Sequence, residues 1–244
     1  MPHPDLTFEP LGEPETTLTG KVMKQVRAAI MSGEMKPGEL YSVYQLAELF
    51  NVSRSPVRDA MLRLEEAGLV RFERNRGFRV VQPRPEDVAE IFAIRLALEV
   101  PAARAAALRS DTEIAAALKD AMARMEEAAA AGDDETFFHH DQRLHDVILA
   151  ASGNTRIRSI IAQLRVTTRI LGASTAGVNR SLQAIVQEHA PVVEAIKEGD
   201  GARAAAEMRA HLNHTGRLLV DQTIDRLGLA LDGDALWDAL TASF

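Results

Sequence analysis

The chain has 244 residues, 46% of them hydrophobic, and a formal net charge of −7. That length suits one large domain or two modest ones, and the apolar content argues against disorder. The absence of cysteine excludes disulfides and thiolate catalysis and fits a reducing compartment.

No run of about 18 apolar residues occurs, so no membrane span is expected. Residues 1–16 hold prolines and acids but no basic start and no apolar centre. They read as a flexible tail rather than a signal peptide, which makes a cytoplasmic address the simplest expectation. From Leu18, the spacing of Val22, Val26 and Ile30 predicts a helix, ended by Gly33 and Pro37-Gly38. Ser42 is placed to cap a second helix that buries Leu46, Ala47 and Phe50. After a short turn at Asn51-Val52, Ser53 is expected to cap a third helix, with Pro56 tolerated in its first turn. That helix buries Val57, Met61 and Leu64 and stops at Gly68. Leu69–Phe72 and Phe78–Val81 read as short strands, with Arg74-Asn75-Arg76-Gly77 as the hairpin tip. Two prolines in Gln82-Pro83-Arg84-Pro85 mark a linker.

From Glu86 onward the pattern is helical and Ala-rich, with breaks near Ser110-Asp111, Gly132-Asp133, Ser152-Gly153-Asn154, Gly172–Gly177 and Gly199-Asp200-Gly201. About six helices result, plus a short one around Trp237, and a bundle is the natural architecture. The expected fold is therefore mainly α. It comprises a tail at 1–16, a winged helix-turn-helix at 17–83 and an all-helical bundle at 84–244.

Charge follows the same division. Residues 17–83 hold 11 Lys/Arg against 7 Asp/Glu, whereas the remainder is acidic. A basic module joined to an acidic one points to two functions, the first of them nucleic-acid binding. In a winged helix-turn-helix the second helix of the motif enters the major groove. Its first turn reads Ser53-Arg54-Ser55-Pro56-Val57-Arg58, which puts two arginine forks four residues apart on one face. Such forks suit guanine edges or phosphates, and hydroxyls at a helix start suit phosphates. Arg74 and Arg76, at the hairpin tip, are placed to reach a flanking minor groove or the backbone.

The residues Pro37-Gly38-x-Leu40, Leu46-Ala47, Val52-Ser53-Arg54-Ser55-Pro56-Val57-Arg58, Gly68-Leu69-Val70 and Arg76-Gly77-Phe78 resemble the DNA-binding domain of the GntR family of transcription factors. The resemblance implies that Arg54 and Arg58 carry recognition, that Ser53 and Ser55 meet phosphates, and that the tip through Gly77 meets the minor groove. Between Leu40 and Leu46 the family often places a charged residue. Here the stretch is Tyr41-Ser42-Val43-Tyr44-Gln45, with Tyr44 the candidate replacement for that contact.

The acidic region has its own constellation. Asp141 and His145 lie four apart on one predicted helix, His189 follows Glu188 on a later one, and His211 lies on the last long helix. Three imidazoles and a carboxylate suit zinc, nickel or manganese when a fold gathers them. Arg95-x-x-x-Glu99, Asp141-x-x-x-His145, Gly153-Asn154, Glu188-His189 and His211-Leu212 resemble the FCD effector domain of the FadR-type branch of that family. The resemblance implies a divalent metal at Asp141, His145, His189 and His211 that helps hold a small carboxylate effector. Arg95, Arg165 and Arg169 are the candidate cations for that carboxylate. It further implies a homodimer on an inverted-repeat operator in double-stranded DNA, with repression relieved by ligand. Two competing expectations are a metal-dependent hydrolase or isomerase built on the same Asp/His set, and an architectural DNA binder whose helical half only dimerises.

Overall fold

The computed structural model describes residues 17–81, 84–170 and 180–244. Backbone contacts divide the chain into two compact units, residues 1–81 and 82–244.

In the first unit, α1 (Leu18–Met31) and α2 (Val43–Leu49) both pack on α3 (Arg54–Glu66). Thr17 and Ser42 cap α1 and α2, their hydroxyls accepting from the N–H groups of Gly20 and Tyr44. Ser53 occupies the N-cap position of α3, yet its side chain makes no capping hydrogen bond. Part of the reason lies in the sequence: the third helical residue is Pro56, which removes one of the two N–H groups that a cap at Ser53 could satisfy. Val57, Ala60, Met61 and Leu64 form the buried face of α3. Phe50, expected in the core, is only half-buried because α2 ends at Leu49 and Phe50 is its C-cap.

A three-stranded antiparallel sheet completes this unit in the order β1-β3-β2. Strands β2 (Val70–Glu73) and β3 (Gly77–Val80) sit within a residue of the expected runs and pair with Phe72 opposite Phe78. Strand β1 (Leu40–Tyr41) was not anticipated, because two residues carry no alternation. It pairs with β3 through Leu40–Arg79 and Tyr41–Phe78. Gly77 opens β3 at φ 125°, where a Cβ would collide with the Tyr41 carbonyl. Only glycine lets the hairpin lie so close to β1.

The second unit consists of α4 (Pro85–Leu108), α5 (Thr112–Ala131), α6 (Asp134–Ala151), α7 (Thr155–Ile170), α8 (Leu182–Lys197), α9 (Gly201–Leu227) and the short α10 (Gly233–Thr241). Pro85, read as part of the linker, instead opens α4 at a position that suits proline. Helix α4 is apolar around its whole circumference, burying Val88, Phe92, Ala93, Leu96, Val100 and Ala103. A helix of that kind belongs at the centre of a bundle, and α4 packs against α6, α7, α8, α9 and α10. Among the described residues, no helix is long and apolar enough to cross a membrane.

Helix α10 is held by Trp237, which is 1% exposed and packs on Phe92 with ring centroids 5.9 Å apart. Trp237 lies directly over Gly216 of α9, where any Cβ would strike the indole. Gly216→Ala is therefore expected to overpack this contact and destabilise the fold by about 1–3 kcal/mol. A denaturant melt checks the loss. A red shift in the emission of Trp237, the chain's one tryptophan, would locate it. Unchanged stability with unchanged emission would contradict the packing argument.

Candidate functional site

Two sets of side chains carry chemistry, one in each unit. In the first unit, the N-terminal turn of α3 presents Ser53, Arg54, Ser55 and Arg58 to solvent. All four sit on the outer side of a helix whose opposite side is core, an arrangement fixed by Val57, Ala60 and Met61. Tyr44 is 49% exposed, and its ring lies 4.8 Å from the Arg54 guanidinium carbon. A cation over an aromatic face is held in direction without losing its hydrogen-bond donors. Arg58 stands 6.0 Å over the ring of Phe72 in β2. Arg74 and Arg76 project from the hairpin tip, where Asn75 takes a left-handed backbone, and Arg76 pairs with Glu73 at 3.2 Å. The unit thus offers exposed guanidinium forks on a convex helix start and on a β-tip, an arrangement suited to a groove and its flanking backbone.

In the second unit, α6, α8 and α9 bring His145, His189 and His211 together. One ring nitrogen from each lies within 4.8 Å of the others, and all three residues are buried. The hydrogen-bond network assigns two of the tautomers. His189 Nδ1 stands 2.8 Å from the Ile185 carbonyl, which can only accept, so in the neutral ring that ligates metal Nδ1 carries the proton and Nε2 a lone pair. His145 Nδ1 stands 2.6 Å from a carboxylate oxygen of Glu99, and the same logic leaves its Nε2 bare. Those two Nε2 atoms face each other at 3.2 Å, and Asp141 Oδ1 lies 3.1 Å from His189 Nε2. Three acceptors thus meet with no donor among them.

Burial, and then the nearby charge of Arg165, lower the pKa of His145 to about 4. Burial, and then the neighbouring His189, lower that of His211 to about 3. Neutral imidazole is the form that ligates metal. The residues present therefore fit a divalent cation.

Carboxylates and arginines surround the histidines. Burial opposes ionisation of Asp141, but the charge of Arg165, with which it pairs, holds its carboxyl well below the usual range. Glu99 is likewise buried, and its burial is outweighed by Arg95 and His145. Glu188 is held at about 2, where burial is overcome by His211 and Arg180 beside it.

A cavity of about 80 Å³ opens on this cluster, lined in part by Phe92, Phe138, Gln142, Thr168, Thr215 and Leu219. One water needs roughly 10–15 Å³ on this scale, so there is room for a few-atom ligand. Arg95, Arg165 and Arg180 also line it. Arg95 Nη2 and Arg165 Nε are buried without a hydrogen-bond partner. Unmet guanidinium donors beside a cavity are costly and call for an anion.

Of the residues named from sequence, His145, His189 and His211 converge. Asp141 reaches them through His189 while paired with Arg165. Arg95 and Arg165 line the cavity, and the side chain of Arg169 lies outside the described residues. His214 points largely to solvent. Arg180 was missed. It is bonded to Glu188 and directly follows a Gly-containing stretch with no periodicity to flag it.

The first unit is a winged helix-turn-helix and the second a helical domain with a cavity beside its buried histidines. Residues 18–80 match the family described as bacterial regulatory proteins, gntR family, and residues 90–214 match the FCD domain. The chain is 31% identical over 214 residues to the HTH-type transcriptional regulator LutR of Bacillus subtilis (strain 168), covering 78% of this chain and 95% of LutR. To the uncharacterized HTH-type transcriptional regulator YdhC of the same organism it is 29% identical over 191 residues, 78% of this chain and 85% of that one. The solved structure of E. coli McbR/YncC shares the fold with a TM-score of 0.66 at 23% identity, over 84% of this chain and 98% of that one. The chain belongs to the GntR family of DNA-binding transcriptional regulators and carries an FCD domain. It is a regulator rather than an enzyme, which leaves the hydrolase or isomerase expectation without support.

Proposed function

We propose that this regulator is a homodimeric repressor whose hold on an inverted-repeat operator is released by a small carboxylate bound at a metal in the helical domain. The observation that carries the sensor half is the meeting of Asp141 Oδ1, His189 Nε2 and His145 Nε2, three acceptors at 3.1 and 3.2 Å. A divalent ion (zinc, nickel or manganese by donor type) satisfies all of them at once. Asp141, His145, His189 and His211 would hold it. When bound, it supplies a positive centre to which a carboxylate is drawn. Arg95 and Arg165 orient that carboxylate with the donors that now lack partners. As bounded by the described residues, the cavity is of a size for a small acid.

On the DNA side, Arg54 and Arg58 read base edges, Ser53 and Ser55 hold phosphates, Tyr44 steadies Arg54, and Arg74, Arg76 and Gly77 form the flanking contact. Repression is the proposed sign because a dimer straddling an operator shuts out other proteins by occupancy alone. Reading DNA places the protein in the cytoplasm.

Elemental analysis of purified protein beside Asp141→Ala and His189→Ala tests the metal. Near one metal per chain is expected in the wild type and little in either variant. No metal in the wild type after loading with zinc, nickel or manganese would sink this reading.

For the DNA face, an operator can be selected from random duplexes. On it, Arg58→Ala is expected to cost about 1–3 kcal/mol and to relax discrimination at one position. Arg76→Ala should weaken all sequences alike and reduce the salt slope by roughly 1. Equal loss on specific and random DNA for Arg58→Ala would remove it from base reading.

A further inference from the structure

We propose that Glu99 is a positioning residue, fixing His145 in the tautomer that turns its Nε2 lone pair toward the other two imidazoles. The inference rests on the metal reading and deepens it, by naming what prepares one ligand.

Glu99 is 1% exposed, as is His145, and both lie where water does not reach them. Its two carboxylate oxygens are divided between two donors. Oε1 takes the Nε–H of Arg95 at 2.6 Å, one helical turn earlier on α4, and Oε2 takes Nδ1–H of His145 at 2.6 Å. Neither oxygen can donate while the group is ionised. Among the described residues His145 has no other acceptor at Nδ1, so its proton stays there and Nε2 stays bare. Ligating histidines are commonly held in this way by a carboxylate, which fixes ring orientation and raises basicity. For His189 the same task falls to the Ile185 carbonyl at 2.8 Å.

The plain alternative is that Glu99 only balances the charge of Arg95. Glutamine separates the two ideas. An amide offers one acceptor oxygen and one donor nitrogen. Arg95 can only donate, so in Glu99→Gln it takes the oxygen and leaves the amide NH2 facing His145. Nδ1 must then accept, which moves the ring proton to Nε2 and points it into the histidine cluster. If Arg95 is also removed, in Arg95→Met/Glu99→Gln, the amide is free to turn its oxygen to His145, and the Nδ1–H tautomer returns. A charge-balancing role predicts no such reversal.

The test uses full-length protein stripped of metal, with ¹⁵N-labelled histidine and His145→Ala to identify the signals. Two-bond ¹H–¹⁵N spectra read the tautomer, and competition with a chromophoric chelator reads zinc affinity. Expected are Nδ1–H in the wild type, Nε2–H in Glu99→Gln and Nδ1–H in the double variant. Zinc binding should be 10–100-fold weaker in the single variant alone. An Nε2–H tautomer in the wild type overturns the proposal, and that measurement needs no variant to fold. So does Glu99→Gln with an unchanged tautomer and zinc affinity within twofold of wild type, a result that leaves the metal reading intact. A wild type that takes up no zinc removes the metal reading, and the tautomers then decide the role of Glu99 by themselves.

Discussion

The second unit turns on one unfavourable contact. His145 Nε2, His189 Nε2 and Asp141 Oδ1 face one another in the interior beside the cavity, separated by 3.1 and 3.2 Å. In water each would find a donor. In the core an unmet acceptor costs the desolvation of its lone pair, and the low dielectric enlarges that cost. The arrangement persists because the rings are held from behind, by the Ile185 carbonyl and by Glu99. A cation that enters turns the same contact into a favourable one. Its binding energy is then also folding energy for the helices that supply the ligands.

That burden falls on α4. A central helix that is apolar all round would ordinarily carry only packing residues, yet α4 holds Arg95 and Glu99 in a pair that is 5% and 1% exposed at the side chain. Buried ion pairs are poor sources of stability, because desolvation offsets most of the attraction. Their place in the most enclosed helix is better explained by what they touch. Arg95 lines the cavity and bonds Glu99 through its Nε, and Glu99 reaches His145. The pair thus links the cavity wall to a candidate metal ligand through two hydrogen bonds.

The first unit was largely legible in the sequence because its signals are local. Caps, glycines and an apolar repeat fix α1, α2 and α3, and an arginine pair at four-residue spacing falls on the exposed side of α3 as geometry requires. The misses there are short-range: β1 is too short to alternate, and Pro56 takes away one of the N–H groups that a cap at Ser53 could use. The second unit was legible in its helices but not in its site. Spacing placed Asp141 and His145 on one face of α6, but nothing in a sequence brings α8 and α9 to that face. The resemblance to a known domain supplied the grouping. Even so, it did not reveal that Arg165 engages Asp141 or that Arg180 enters the wall, since both depend on helices meeting at particular heights.

Arg165 gives the site a way to respond. Its guanidinium is paired with Asp141, the carboxylate that a cation would also attract, and its Nε is buried without a partner. A metal drawing on Asp141 competes with that pair, and a carboxylate in the cavity offers Arg165 a second partner. On the proposed reading, metal and anion would favour the same rearrangement, each easing the other's entry. Such coupling is reciprocal, and its size is bounded by the difference in affinity between the two arrangements. A ligand that bound both equally would move nothing, however tightly it held. Arg165 sits on α7, whose end at Ile170 precedes the stretch leading to Arg180. Arg165 and Arg180, from α7 and from the start of the segment leading into α8, both line the cavity, so an anion held there meets guanidinium groups from two separate parts of the chain.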